Sequence, residues 1–131
     1  MAKLIYPELS YKVMGVLYKV YNSLGSSRQE KHYQRAIEIE LEDQKIEFQR
    51  EKKTELLYRQ KKVGDYYVDF LIEKKIVLEL KAKDFYTTKD INQVVSYLKN
   101  LRVHLGILAN FRSERLKYRR IVNPDIRLYS K

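Results

Sequence analysis

The sequence predicts a mixed α/β sandwich with a central sheet flanked by helices. Three observations carry this prediction. Apolar side chains recur at helical spacing near the start, the period falls to two from about residue 46, and a short apolar run is followed by a helix and then by a second apolar run. A length of 131 residues suits one domain, 1–131, built on a single core. An apolar fraction of 44% excludes a disordered chain.

The elements follow in order. From about Glu8 to Leu24, the side chains Leu9, Val13, Val16, Leu17, Val20, Tyr21 and Leu24 mark one face of an amphipathic helix. Pro7 near its start and Gly25 just past its end are the expected punctuation. A second helix is expected over Gln29–Gln44, with Tyr33, Ile37 and Leu41 inward. Ser27-Arg-Gln-Glu30 before it has the capping-box pattern, in which Glu30 would return a hydrogen bond to the Ser27 backbone. β-formers then appear in Ile46–Phe48 and Thr54–Tyr58, and Arg59–Lys62 with Gly64 separate these from a strand over Tyr66–Ile72. A turn at Glu73–Lys75 leads into Ile76–Ala82, apolar enough for a central strand. Thr87-Thr88-Lys-Asp opens a third helix, 88–101, and 103–109 is a further strand. The rest, to Lys131, is basic and less regular.

The chemistry concentrates around Asp69 and Glu79-Leu-Lys81. Alternation puts Glu79 and Lys81 on one face of their strand, and a turn at 73–75 pairs Ile72 with Ile76, which brings Asp69 opposite Glu79. Opposed residues have Cβ atoms about 4.5–5.5 Å apart. Carboxylates that close repel unless a cation joins them, and hard oxygen ligands suit Mg²⁺ or Mn²⁺. Lys81 beside such an ion is placed to orient or deprotonate water. Aspartate between Val68 and Phe70 is also a poor strand former, which favours a functional over a structural reading.

Charge points to a polyanion. The formal net charge is +10, and residues 83–131 contribute +7 of it. Such a field favours nucleic acid, because phosphate neutralisation releases counterions. Arg112, Arg115, Lys117, Arg119 and Arg120, interleaved with Phe111 and Tyr118, form a candidate phosphate-tracking patch, for which a solvated face with snorkelling side chains is the alternative. His32 and His104 belong to no ligand spacing and read as packing or surface residues. With no cysteine there is no thiolate chemistry. No run is long and apolar enough to span a membrane, and Met1–Pro7 lacks the features of a signal peptide, so a cytoplasmic location is expected.

An acidic strand residue, then Glu-x-Lys on the next strand, then a helix and a strand, resembles the PD-(D/E)xK nuclease superfamily. Here these are Asp69, Glu79-Leu-Lys81, the helix at 88–101 and the strand at 103–109. Within it the chain is similar to the GxxExxY family, with Glu30 and Tyr33 at the named positions and Ser27 where the named glycine stands. Gln93-Val-Val-Ser-Tyr97 is similar to the Gln-x-x-x-Tyr of the exonuclease-like branch. The resemblance implies a restriction-endonuclease-like core and a metal-dependent nuclease acting on DNA or RNA. It implies Asp69, Glu79 and Glu30 as metal ligands, Lys81 as the group positioning water, and Gln93, Tyr97 and Tyr33 in support. A non-catalytic nucleic-acid-binding module with the same fold, or an interaction protein for an acidic partner, remains open beside it.

Overall fold

The computed structural model describes residues 5–125; Met1–Leu4 of the opening segment, and Arg127 and Lys131 of the basic one, lie outside the described residues. The elements are α1 (Pro7–Leu24), α2 (Glu30–Asp43), β1 (Phe48–Tyr58), β2 (Lys61–Ile72), β3 (Ile76–Lys81), α3 (Thr88–Leu101), β4 (Leu105–Asn110) and β5 (Lys117–Val122). The strands form one sheet in the order β1-β2-β3-β4-β5. All neighbours are antiparallel except β3 and β4, the parallel pair that α3 connects. The predicted mixed α/β sandwich is therefore the observed architecture.

Sequence periodicity explains which side each helix covers. Val13, Val16, Leu17 and Val20 of α1 and Tyr33, Ile37 and Leu41 of α2 pack with Phe70, Ile72, Leu78, Leu80 and Ile107 on one sheet face. Val94, Tyr97 and Leu98 of α3 pack with Val77 and Leu108 on the other. Covered on both sides, β3 and β4 are buried along nearly their whole length, as a parallel pair at the centre of a sheet requires.

Four expectations change. The stretch after residue 110 contains β5, whose basic and exposed residues hid its period: only Ile121 of the six is buried. Arg59–Lys62 and Gly64 do not separate strands. Arg59 and Gln60 alone turn the chain, both with left-handed φ (51° and 67°), while Lys61–Gly64 already belong to β2. Ile46 precedes β1, its N–H bonded to Leu41 O at 2.9 Å. The N-terminus of α2 is closed by Gln29 and His32 rather than by Ser27 and Glu30: Gln29 N donates to His32 Nδ1 at 3.3 Å. Glu30 is thereby released from the cap.

Close approach of α3 to the sheet depends on one glycine. A Cβ added at Gly106 would stand 2.6 Å from Val94 Cγ1 and 3.5 Å from both Leu98 methyl carbons. We expect Gly106→Ala to destabilise the fold by about 1–3 kcal/mol, the usual cost of overpacking. Adding Val94→Ala should recover part of that loss, so that the double variant melts above the sum of the two single effects. Strict additivity in the melting temperatures would contradict the contact.

Candidate active site

The site lies where β2 and β3 part. Their ladder comprises only Ile72↔Ile76, Leu71↔Val77 and Phe70↔Leu78. At the next step side chains take over from the backbone: Asp69 N donates to Glu79 Oε1 at 2.7 Å, and Leu80 N donates to Asp69 Oδ2 at 2.8 Å. Each carboxylate thus caps an N–H of the opposite strand. The β1–β2 ladder is interrupted at the same level, between Arg50↔Phe70 and Lys52↔Val68, where Glu51 adopts φ 48°. The expected apposition of Asp69 and Glu79 is present, but as crossed side-chain bonds rather than a ladder pair.

Burial makes this pair electrostatically strained. Glu79 is 4% exposed. Desolvation first, and the Asp69 charge second, push its carboxyl up to about 8, against the Asp69 N–H and Lys81. Desolvation also raises Asp69, opposed by the Leu80 N–H, Lys81, Arg50 and Gln34. Glu30, at the first turn of α2, is raised by burial and by Asp69 and lowered by Lys81 and Lys83. Tyr97 is pushed above the ordinary phenol range by burial and then by Glu79 and Asp69. Glu30, Asp69, Glu79, Lys81 and Tyr97 therefore share one electrostatic neighbourhood. Gln93 joins it through Lys81, whose Nζ donates to Gln93 Oε1 at 3.4 Å.

Other residues of the site carried no motif. Gln34 Nε2 reaches both Glu30 Oε1 at 3.2 Å and Asp69 Oδ1 at 3.3 Å, joining α2 to the carboxylate pair. Its only sequence signal is the four-residue spacing from Glu30, which places both on one helical face. Asp90 stands 3.8 Å from Lys81 Nζ and 2.5 Å from Lys83 Nζ. Its burial opposes charge, but Lys83, the Thr87 N–H and Lys81 outweigh it and hold the carboxyl below its usual range. Asp90 follows Thr87 by three residues, a capping pattern legible in the sequence, although its hold on Lys81 is not. Asn110 is fully buried and grips the chain just beyond Lys81, accepting from Lys83 N at 3.2 Å and donating to Lys83 O at 2.8 Å. Arg50, whose guanidinium lies 4.7 Å from the Phe70 ring centroid, brings positive charge to Asp69.

Several predicted residues stand elsewhere. Tyr33 is a core residue: its hydroxyl donates to Gly25 O at 2.5 Å and accepts from Arg28 N at 3.1 Å, and its ring stacks on Phe111 at 4.4 Å. Phe111 is fully buried and so cannot interleave a surface patch. Arg120 turns inward, donating to Ser10 Oγ and to Ile5 O, which ties β5 to the start of α1. Arg112, Arg115, Lys117 and Arg119 are exposed. Arg112 leaves the sheet beside Asn110, the partner of Lys81 in the β3–β4 register, whereas Arg119 lies two steps further along β5 from Lys117. His32 serves the helix cap, and His104 stacks on Tyr6.

The donor set suits a hard divalent cation. Each carboxylate of the pair commits one oxygen to a backbone N–H, the second Asp69 oxygen accepts from Gln34, and a cation would offset the burial that raises both carboxyls and the Asp69 charge that further raises Glu79. Among the described residues, no three His, Cys, Asp or Glu side chains converge closely enough to form a complete cage. Two carboxylates with the remaining positions open to water is the arrangement Mg²⁺ commonly adopts.

A sequence model of the PD-(D/E)XK nuclease superfamily matches residues 7–121. No curated protein matches the chain. The crystal structure of SSO0001 superposes with a TM-score of 0.54 at 20% identity, over 91% of this chain and 58% of its own, so this chain spans little more than half the length of that protein. No helix among the described residues is long and apolar enough to cross a membrane. The match runs from the start of α1 into β5 and takes in the carboxylate pair and the lysine beyond it, and the chain accordingly belongs to the PD-(D/E)XK nuclease superfamily.

Proposed function

We propose that this protein is a divalent-metal-dependent nuclease that hydrolyses phosphodiester bonds of DNA or RNA. The observation that carries the reading is the crossed pair of buried carboxylates, Asp69 and Glu79, with the Lys81 ammonium held beside them by Gln93 and Asp90. Asp69 and Glu79 would hold Mg²⁺ or Mn²⁺, and Glu30, linked to Asp69 through Gln34, would add a ligand through water. When bound, such an ion polarises a phosphate and makes water nucleophilic near neutral pH. Lys81 positions the attacking water and stabilises the charge that develops on the phosphate. Gln93 and Asp90 fix the Lys81 side chain, and Gln34 fixes the carboxylates it bridges. The exposed Arg112, Arg115, Lys117 and Arg119 supply sequence-independent attraction to the backbone, and DNA is the substrate favoured by the resemblance.

Placement in the GxxExxY group is part of the proposal. It is supported by Glu30 reaching the carboxylate neighbourhood and by Tyr33 tying Gly25 and Arg28 together in the loop that delivers Glu30.

Purified protein incubated with labelled DNA and RNA should cleave at least one of them with Mg²⁺ or Mn²⁺ and neither with EDTA. Lys81→Ala should lower the rate about 100-fold or more while leaving the metal-induced rise in melting temperature in place, whereas Asp69→Asn should remove both. Metal-independent binding without cleavage would favour the non-catalytic module instead.

The raised carboxylates also set a pH dependence. A folded-state pKa of about 8 for Glu79, above its ordinary 4.5, means that the native state retains a proton the unfolded chain gives up. The associated stability is complete below about 4.5 and is lost as pH rises through about 8. Without metal, the unfolding free energy should therefore fall between pH 5 and pH 8 by up to about 1.4 kcal/mol per pH unit, and the melting temperature with it. Glu79→Gln should flatten that slope, and an unchanged slope in the variant would contradict the assignment.

A further inference from the structure

Beyond its break at Glu51 and Asp69, the β1–β2 hairpin continues over α3. Thr54↔Tyr66 and Glu55↔Asp65 extend the pairing, and Asn100 Nδ2 at the far end of α3 donates to Glu55 O at 3.2 Å. Between hairpin and helix lies a cleft of about 280 Å³, roomy enough to admit a single nucleobase. Its aromatic wall is Tyr66, 41% exposed, standing at 6.2 Å and 56° from the Tyr97 ring. Its polar wall is a stripe of α3 at three- and four-residue spacing: Lys89, Asn92, Gln93 and Ser96.

Two features define an occupant. Gln93 belongs both to this cleft and to the site, because it accepts from Lys81 Nζ, so the cleft adjoins the proposed reaction centre. An exposed tyrosine face opposite amide and hydroxyl groups, with a lysine on the rim, matches a planar heterocycle that has hydrogen-bonding edges and an attached phosphate. A base paired within a duplex cannot enter such a cleft, but an unpaired one can.

We propose that the cleft between Tyr66 and α3 binds one unpaired nucleobase of the substrate strand, which makes single-stranded nucleic acid the preferred substrate class. This rests on the nuclease reading for the meaning of the adjoining site, but not for binding itself. Tyr66 supplies the stacking face, Asn92 and Ser96 read the base edge without strong preference, and Lys89 pairs with a flanking phosphate.

The test is fluorescence anisotropy in EDTA with labelled single-stranded oligonucleotides, DNA and RNA, and with blunt duplexes of each. Wild type should bind at least one single strand more tightly than the matching duplex. Tyr66→Ala should weaken single-strand binding about tenfold and leave duplex binding unchanged, since stacking on one aromatic side chain is of that size. Tyr66→Phe should restore it. Ser96→Leu, which fills the cleft without touching the aromatic wall, should reproduce the selective loss. If Tyr66→Ala and Ser96→Leu leave single-strand binding unchanged, or weaken single strand and duplex equally, the proposal is overturned. Selective loss in a protein that cleaves nothing with any metal would sustain the base cleft and overturn the nuclease reading; metal-dependent cleavage without selective loss would do the reverse.

Discussion

Where β2 and β3 separate, two backbone N–H groups lose their ladder partners, and the carboxylates of Asp69 and Glu79 replace them. That exchange satisfies groups which would be costly to leave unbonded at this depth. It also fixes both carboxylates at the same level of the sheet, each immobilised by the strand it faces. The arrangement has an electrostatic consequence, because neither carboxyl can turn out into solvent without uncovering an N–H. The hydrogen bonds that shape the site thus hold two carboxyls where burial disfavours their ionisation.

The remainder of the structure supports this junction from three sides. On one face, α2 brings Glu30 and Gln34, and the Tyr33 hydroxyl secures the loop that delivers them. On the other, α3 brings Gln93, Asp90 and Tyr97, held against β4 by the closeness that Gly106 permits. From below, the parallel β3–β4 pair sets Lys81 beside Asn110, whose amide fixes the exit of the chain towards α3. Two flexible groups, Lys81 and Lys83, are thereby anchored through a single buried aspartate.

Much of this was legible in the sequence, because it rests on periodicity. The apolar faces of α1, α2 and α3, the buried runs of β3 and β4, and the turn at Glu73–Lys75 each leave a pattern of spacing, and that turn sets the register that apposes Asp69 and Glu79. What stayed hidden depends on tertiary contact or on exposed strands. β5 escaped because its edge position leaves basic residues on most of its surface. Gln34 and Asn110 escaped because a bridging amide looks like any polar residue until its partners are in place. Tyr33 entered through the family resemblance and Arg120 through the basic run, and the fold uses the polar ends of both to join elements. The roles of Asp69, Glu79 and Lys81 in chemistry remain a proposal that geometry supports.

The most direct measurement is calorimetric titration of Mn²⁺ into the protein at pH 7, in two buffers of different ionisation enthalpy, to count protons released on binding. A carboxyl raised to about 8 is largely protonated at that pH and must lose its proton to become a ligand. Release should approach about one proton per ion in the wild type and fall close to zero in Glu79→Gln. Binding without proton release, or the same release in the variant, would contradict a metal centre built on the Asp69–Glu79 pair.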